Sequence, residues 1–501
     1  MTKTPENALR ALRGRLATIS DLGAAGLTLT WDRQTYLPEG GVRGRAEQLA
    51  TLARLSHELL VAEETGELLE ALEDLDPDTD DGAIVRVARR NHEKATKLPA
   101  RLVEEVSRAR SLAEPAWAKA REESDWNAFA PHMERLLSLK RETAEHLGYR
   151  DHPYDAMLDA FEPGASKASL EAMFEALEAG SVSLLREISG ALDEDHTLPL
   201  RGVFDEKKQE KFGASVATAF GYDWSRGRQD RAIHPFCVGM NPGDVRITTR
   251  FDPEYLSTAL FATFHESGHA MYEQGIHPNY FRTPLDGGAS MGVHESQSRM
   301  WENLVGRSRP FWNRYYPELQ KIFPESLGGT DPETFYRAIN AVHPSEIRVE
   351  ADELTYDLHI LLRFELEVTL FEDTLSVKDL PAAWNAGMEE YLGVTPESDA
   401  RGVLQDVHWA AGLFGYFPTY TLGNVLSVQL FEAAVDEHPQ IPEDIERGEF
   451  GTLLGWLGEN VHRYGRKYEP EDLIVRATGR PLDTTPYLKY LNAKFREIYS
   501  S

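Results

Sequence analysis

Two histidines separated by three residues constrain this chain more than any other feature. His265, Glu266 and His269 form the HExxH pattern, which binds zinc when it lies on a helix. Four residues turn a helix by about 400°, so both imidazoles project from one face within about 40° of each other. Glu266 lies about 100° around the helix, where a general base for a metal-activated water belongs. The stretch therefore predicts a catalytic zinc helix.

The flanking residues predict a helix of about twenty residues around the motif. Asp252 is expected to cap this helix, Pro253 suits its first position, and Gly275 is expected to end it. An apolar stripe follows the face away from the two histidines and comprises Leu256, Leu260, Phe264 and Met271. The capping residues, the apolar periodicity and the HExxH motif therefore all predict the same helix in the same register.

A catalytic zinc site needs a third protein ligand and an open fourth position. The metzincin continuation is missing, because Tyr272 and Gly275 stand where that pattern has glycine and histidine. Glu295 follows a glycine-rich loop 26 residues after His269, so a second helix can turn back and pack on the first. Because two histidines and a glutamate are the ligand set of thermolysin-like peptidases, Glu295 is predicted to be the third ligand. Its neighbour His294 is expected to have a structural role.

Charge and cysteine content disfavour several classes of partner. The chain carries 82 acidic and 53 basic residues, a formal net charge of −29, which disfavours a nucleic acid or an anionic membrane. The single Cys237 excludes an internal disulfide framework and a thiolate zinc site. We find no apolar run typical of a signal peptide and no stretch of about 18 apolar residues. We therefore expect a soluble cytoplasmic protein.

No repeat, low-complexity linker or compositional break divides the chain. We predict a single domain over residues 1–501, with a mainly helical lobe over 1–200 and strands, zinc helices and further helices over 201–501. Two short strands are expected at residues 233–238 and 244–251. A sheet there would offer its edge to an extended peptide, although an ordinary hairpin with solvated arginines fits the same pattern.

Three residues further along would suit a peptidase. Arg348 would supply a cation for the substrate, and His408 with Tyr420 would supply donors for the developing oxyanion. Each signal is weak alone, since a lone arginine is usually a surface charge and aromatic runs are usually core. The stretch Ile347–Asp352 is expected to open a helix.

Six ordered motifs resemble the thermostable carboxypeptidase family, also called the carboxypeptidase Taq family, of HExxH metallocarboxypeptidases. The match covers essentially the whole chain, and the Trp31-Asp32 stretch also resembles the N-terminal region of that family. The motifs in chain order are His234-Pro235-Phe236, DxRxT from Asp244 to Thr248, HExxH from His265 to His269, HES from His294 to Ser296, IRxxAD from Ile347 to Asp352, and GxxQDxHW from Gly402 to Trp409. Their order is far more specific than HExxH alone.

The resemblance implies a mainly α, two-lobed helical fold with a deep active-site groove and a small β-sheet beside the zinc helix, as in neurolysin and angiotensin-converting enzyme. It implies a homodimer that releases single C-terminal amino acids from peptides with broad specificity. The expected cofactor is Zn2+, and a site of nitrogen and oxygen ligands would also accept Co2+ or Mn2+.

The resemblance also implies site residues by motif position. The metal ligands and catalytic residues are His265, His269 and Glu295 around the metal, Glu266 as general base, and His408 and Tyr420 as donors to the scissile carbonyl. The residues assigned to substrate binding are Arg348, Arg401, His234 and Arg246. Among these, Arg348 is the first candidate for the C-terminal carboxylate and Arg401 the second.

Two other functions stay open at the level of the sequence. An oligoendopeptidase of related architecture would cleave peptides whose C-terminus is blocked. A non-catalytic peptide-binding protein with a structural metal would need four protein ligands, and the motif has no fourth Cys or His nearby.

Overall fold

The computed structural model describes residues 4–192 and 194–499, which form 21 α-helices and three β-strands. The prediction of a mainly α fold with a small sheet is confirmed. Residues 1–3, 193, 500 and 501 of the predicted domain lie outside the described residues. Among the helices that the structure describes, none combines the length and the apolar character needed to span a bilayer.

The helices are numbered in chain order. Their bounds are α1 Pro5–Thr35, α2 Val42–Val61, α3 Glu63–Glu70, α4 Asp80–Lys97, α5 Ala100–Glu123, α6 Trp126–Leu147, α7 Pro153–Leu158, α8 Lys167–Ile188, α9 Glu206–Phe220, α10 Leu256–Gly275, α11 Met291–Arg299, α12 Arg309–Ile322, α13 Pro324–Leu327, α14 Pro332–Ile339, α15 Tyr356–Phe371, α16 Leu380–Leu392, α17 Pro418–Glu437, α18 Ile441–Arg447, α19 Gly451–Asn460, α20 Pro470–Thr478 and α21 Thr485–Tyr499.

The chain forms two compact units, each assembled from three separate segments. The first unit comprises residues 1–96, 197–339 and 429–481. The second unit comprises residues 97–196, 340–428 and 482–501. The HExxH helix α10 belongs to the first unit, and the IRxxAD and GxxQDxHW motifs belong to the second.

The first unit contains a three-stranded sheet beside α10. Its strands are β1 Gly227–Arg231, β2 Cys237–Asn241 and β3 Asp244–Thr249. Strand β3 is central, parallel to β1 and antiparallel to β2. The strand predicted at 244–251 is confirmed with shorter bounds as β3. The strand predicted at 233–238 lies instead at 237–241, because Gly239 and Asn241 also pair with β3. The sequence did not predict β1, because Gly-Arg-Gln-Asp-Arg lacks the apolar alternation of a half-buried strand.

Helix α10 begins later than the sequence predicts. The N-cap position is Tyr255, not Asp252, so the predicted cap is wrong. The Asp252 carboxylate instead accepts the Glu254 amide at 2.8 Å, which makes a local turn. The backbone carbonyls of Pro253 and Glu254 accept amides from residues 202–204, and these tertiary bonds keep the segment out of the helix. The predicted end at Gly275 is confirmed.

The second unit is built around α15, in which only Glu365 and Thr369 are not buried. The prediction that Ile347–Asp352 opens a helix is wrong. Residues 348–350 form one 3-10 turn, and α15 begins at Tyr356. The Asp352 carboxylate accepts backbone amides of the next residues, at 2.9 Å from Leu354, and so closes a turn ahead of the helix.

Glu367 is a fully buried carboxyl group near the end of α15. It accepts hydrogen bonds from the Trp409 indole at 2.8 Å, the Tyr154 hydroxyl at 2.7 Å and the Gly415 amide at 2.8 Å. Burial raises the pKa of Glu367 to about 7, although the three donors oppose this shift. The folded protein therefore binds a proton at Glu367 over a pH range in which the unfolded chain has released it.

This difference predicts a pH-dependent stability. The contribution of Glu367 to the free energy of unfolding is on the order of 3 kcal/mol. It is fully present below the ordinary glutamate pKa and is lost as the pH rises toward 7. Glu367→Gln does not titrate, so the Tm of the wild type should fall relative to the Tm of the variant between pH 5.5 and 8.5. Calorimetric scans at both pH values measure this change, and a constant Tm difference would contradict it.

Candidate active site

The candidate metal centre of the first unit depends on a close approach of α10 and α11. A Cβ atom built on Gly268 would lie 2.6 Å from the Gln297 carbonyl oxygen and 2.7 Å from the Ser298 Cα atom. Only glycine permits this contact without displacing backbone. Since Gly268 precedes His269, the same contact brings the ligand face of α10 against α11.

The contact places Glu295 between the two histidines. Oε2 of Glu295 lies 3.7 Å from Nε2 of His265 and 3.4 Å from Nε2 of His269. The two imidazole rings are nearly perpendicular, with centroids 4.8 Å apart. One ligand atom from each residue falls within 4.8 Å of the others. Two imidazoles and a carboxylate at this separation fit a divalent metal ion such as zinc.

The other nitrogen of each imidazole has a hydrogen-bond acceptor. His265 Nδ1 lies 2.9 Å from Oε2 of Glu302, and His269 Nδ1 lies 3.1 Å from the backbone carbonyl oxygen of His294. Both contacts favour the tautomer in which Nδ1 carries the hydrogen and Nε2 keeps its lone pair for a metal. Burial also lowers the pKa of His269 to about 3, so that ring stays neutral.

Glu295, a candidate metal ligand, is held as a carboxylate. Arg299, one turn later on α11, donates its Nε–H to Oε1 of Glu295 at 2.8 Å. Burial alone would raise the pKa of Glu295, but Arg299 and the two histidines hold it well below its usual range. A charged carboxylate is the form that binds a metal.

Glu266 lies beside the three ligand residues and is buried. Burial raises the pKa of Glu266 to about 7, and the neighbouring carboxylates of Glu295 and Glu302 act in the same direction. A carboxyl group with a pKa near neutrality can both accept and release a proton, as a general base and acid must.

Glu302 was not among the sequence-predicted site residues. It lies on a π-helical turn, Met300–Val305, that continues from the end of α11. The spacing Glu-x3-Arg-x2-Glu from Glu295 through Arg299 to Glu302 was a readable signal, since positions i, i+4 and i+7 share one helix face. Without the fold, the same spacing also fits a solvated surface of alternating charges.

In the second unit, Asp406 binds two arginines. Arg348 donates to Oδ1 of Asp406 from Nε at 3.1 Å and from Nη2 at 2.8 Å. Arg363 donates its Nε–H to Oδ2 of the same carboxylate at 2.7 Å. Although burial opposes it, the two guanidinium groups hold the pKa of Asp406 well below its usual range. The sequence prediction named Arg348 but missed Arg363. No motif around Arg363 distinguishes it from other charged residues of a helix.

The predicted residues His408 and Tyr420 also meet in the second unit. His408 Nε2 lies 3.1 Å from the Tyr420 hydroxyl oxygen, and the Arg348 guanidinium lies 5.0 Å from the centre of the Tyr420 ring. Arg348 also donates to the Tyr356 hydroxyl at 2.7 Å. Burial lowers the pKa of His408 to about 3, so the imidazole is neutral.

The three other predicted substrate-binding residues lie outside these clusters. Arg401 is about half exposed and forms an ion pair with Glu346. His234 is exposed in the loop before β2. Arg246 pairs with Asp244 at 2.8 Å and stacks over the Trp31 ring at 4.3 Å, so the DxRxT motif contacts α1.

A helix-borne HExxH pair joined by a glutamate from a second helix, in a mainly helical fold, is typical of metallopeptidases. Comparison with known proteins narrows this class. The family model described as carboxypeptidase Taq (M32) metallopeptidase matches residues 11–495. The chain belongs to this family and is a metallocarboxypeptidase.

Relatives and solved structures cover nearly the whole chain. Thermostable carboxypeptidase 1 of Thermus thermophilus is 42% identical over 99% of this chain and 100% of its own length. Carboxypeptidase 1 of Bacillus subtilis is 39% identical, with 97% of each chain covered. The crystal structure of an M32 carboxypeptidase from Deinococcus radiodurans superposes with a TM-score of 0.96 at 42% identity, covering 99% of this chain and 100% of the other. These named carboxypeptidases favour that activity over the two alternative functions.

The contact at Gly268 predicts a specific effect of one methyl group. Gly268→Ala should force α10 and α11 apart, lower stability by about 1–3 kcal/mol and weaken metal binding. Gly23→Ala in α1 is a matched control, because nothing lies within 4 Å of its Cβ position, and it should stabilise by about 0.5–1 kcal/mol. Calorimetry of the metal-free proteins and metal titration measure both effects. Wild-type metal affinity in Gly268→Ala would contradict this role of the glycine.

Proposed function

We propose that the protein is a zinc carboxypeptidase of broad specificity that releases single C-terminal residues from peptides with a free C-terminus. The observation that supports this most directly is the convergence of His265, His269 and Glu295, with Glu266 buried beside them. The proposal treats residues 1–501 as a single functional domain. Co2+ or Mn2+ would also suit the nitrogen and oxygen ligands.

The proposed metal ligands are His265, His269 and Glu295. A divalent ion held by them would supply a Lewis acid for the scissile carbonyl and would make the attacking water more acidic. Glu266 accepts the proton of the attacking water and passes it to the leaving amine. The products are then a free amino acid and a peptide shortened by one residue.

Arg348 is the proposed ligand of the substrate's terminal carboxylate. The Asp406 carboxylate balances the charge of one of the two arginines that it binds. Burial keeps His408 and His359 uncharged. The two arginines, Asp406 and the two histidines therefore carry a net charge of about +1 together. An anionic substrate group would balance that charge, and guanidinium groups bind carboxylates with paired hydrogen bonds.

His408 and Tyr420 are the proposed donors to the developing oxyanion. In the tautomer with a hydrogen on Nε2, His408 donates to the Tyr420 oxygen at 3.1 Å, which orients Tyr420 and leaves its hydroxyl hydrogen for the oxyanion. A pre-oriented donor of this kind contributes on the order of 10² to 10³ in turnover. Arg401, His234 and Arg246 are retained as weaker candidates for substrate binding.

A homodimer is also proposed from the resemblance, and a cytoplasmic location from the cysteine content. Helix α2 supports the dimer, because half of its residues are apolar and none is buried within the described residues. Sedimentation equilibrium should then give about twice the monomer mass of 56.4 kDa. The single cysteine supports a reducing compartment, which fractionation of the source cells would test.

The activity is tested with one peptide prepared as the free C-terminal acid and as the C-terminal amide. We expect the wild type to release single residues far faster from the acid form than from the amide form. Chelation should abolish release, and added Zn2+ should restore it, because the metal supplies the Lewis acid. Internal cleavage of both peptides would instead indicate an endopeptidase, and release that survives complete metal removal would contradict the metal-dependent mechanism.

Glu266→Gln separates metal binding from proton transfer. The amide is nearly the same size but cannot accept a proton, so turnover should fall at least about 10²- to 10⁴-fold. Metal content, measured by atomic absorption, should stay at the wild-type level because Glu266 is not a proposed ligand. A variant that retains metal and near-wild-type turnover would exclude Glu266 as the general base.

Arg348→Ala tests the carboxylate pocket with the same acid and amide peptides. Loss of a charged hydrogen-bond partner should raise KM for the acid about ten- to hundredfold and leave any weak hydrolysis of the amide unchanged. Arg496→Ala, which removes an exposed guanidinium paired with Glu187, serves as a control. Arg401→Ala should change KM less than Arg348→Ala does. An equal loss with both peptides would contradict the role of Arg348.

A further inference from the structure

Glu302 is a buried carboxylate that contacts one proposed metal ligand directly and another through an arginine. Its Oε2 atom lies 2.9 Å from His265 Nδ1. The same oxygen accepts from Arg299 Nη1 at 3.3 Å, and Arg299 donates its Nε–H to Glu295 at 2.8 Å. Glu302 is thus linked to ligands from both α10 and α11.

The backbone around Glu302 departs from regular α-helical geometry. Residues 300–305 form a π-helical turn, a rare conformation that is frequent at functional sites. The change of pitch begins directly after Arg299, between the residue that holds Glu295 and the residue that contacts His265. The turn therefore sets where Glu302 lies relative to α10.

A second arginine holds Glu302 from the other side. Arg307 Nη2 lies 3.4 Å from Oε1 of Glu302, and its guanidinium stacks over the Phe261 ring of α10 at 3.7 Å. Arg307 also donates to the backbone carbonyl of Ile339. Glu302 thus has fixed partners on both oxygens, which restricts the direction from which His265 can donate to it.

We propose that Glu302 is a positioning residue that sets the metal affinity of the site. It accepts the Nδ1 hydrogen of His265, which leaves the lone pair of Nε2 for the metal and fixes the rotation of the ring. Through Arg299 it also orients Glu295. This inference rests on the metal site proposed above and adds a residue that does not itself contact metal or substrate.

A purely structural ion pair is the competing explanation, and Glu333 provides a more exposed example of such a pair. Its carboxylate also lies between two arginines, Arg309 and Arg337, but it pairs with no proposed metal ligand. Removing the charge of Glu333 therefore tests the loss of such an ion-pair cluster alone. Removing the charge of Glu302 tests the loss of a more buried cluster together with the contact to His265, because the Glu302 side chain is 12% exposed and that of Glu333 is 46% exposed.

The experiment measures the Zn2+ dissociation constant of the purified full-length protein by competition with a chromophoric chelator. Glu302→Gln should weaken Zn2+ binding about 10- to 100-fold, the range found when a partner of a ligating histidine is lost. Glu333→Gln should bind Zn2+ as the wild type does. The visible absorption spectrum of the Co2+-loaded protein should shift in Glu302→Gln and not in Glu333→Gln, because the ligand geometry changes only in the former.

Glu302→Asp decides the question if Glu302→Gln does not fold, as judged by its metal-free Tm. Aspartate keeps the charge but is shorter by one methylene, so weaker Zn2+ binding would support positioning. Wild-type affinity in the variant that folds, with an unchanged Co2+ spectrum, would overturn the inference. Failure of the wild type itself to bind Zn2+ would overturn the proposed metal site instead, so the two failures are distinguishable.

Discussion

The approach of α10 to α11 at Gly268 is the contact on which the candidate metal centre depends. The histidines are one helical turn apart by sequence, but a carboxylate from a second helix reaches them only if the two backbones nearly touch. Gln297 and Ser298 occupy the space that any side chain at position 268 would need. A glycine therefore places Glu295 within reach of both imidazoles, and the rest of the site is arranged around that contact.

Burial of the candidate metal ligands favours their uncharged forms, and a nearby arginine opposes this effect at Glu295. Burial alone would favour a neutral Glu295, which would be a poor ligand. Arg299 keeps that residue charged and also bridges to Glu302. Glu266 makes no arginine ion pair in the described part of the chain, and burial moves its pKa toward neutrality. Neighbouring carboxyl groups thus differ in protonation because their partners differ.

In the second unit, the buried cluster around Asp406 contains more arginines than carboxylates. Two arginines share Asp406, so these three buried side chains together carry one net positive charge. An uncompensated buried charge is costly, and a site that awaits an anionic ligand is one setting in which it is retained. Arg348 is the member of this pair that also contacts Tyr356 and Tyr420, whereas Arg363 packs on Trp384. This asymmetry favours Arg348 as the residue that meets substrate.

Helical class, two strands of the sheet and the residues of the metal cluster could be predicted from the sequence. These rest on local patterns, namely i, i+4 spacing, apolar periodicity and motif order. Three features could not be predicted: the start of α10, strand β1 and the roles of Glu302 and Arg363. Each depends on partners distant in sequence, such as the amides of residues 202–204 that hold Pro253 and Glu254 outside the helix.

The sequence by itself determined which side chains could bind a metal, because His265 and His269 share a helix face whatever the helix packs against. It also determined the family, since ordered motifs do not depend on knowing the fold. Only the tertiary structure decided that Glu302 also reaches His265, and in which protonation state the acidic residues of the site are held. Contact between helices and the burial of charge are properties of the folded chain. The protonation states of the 82 acidic residues differ only because folding gives them different burial and different partners.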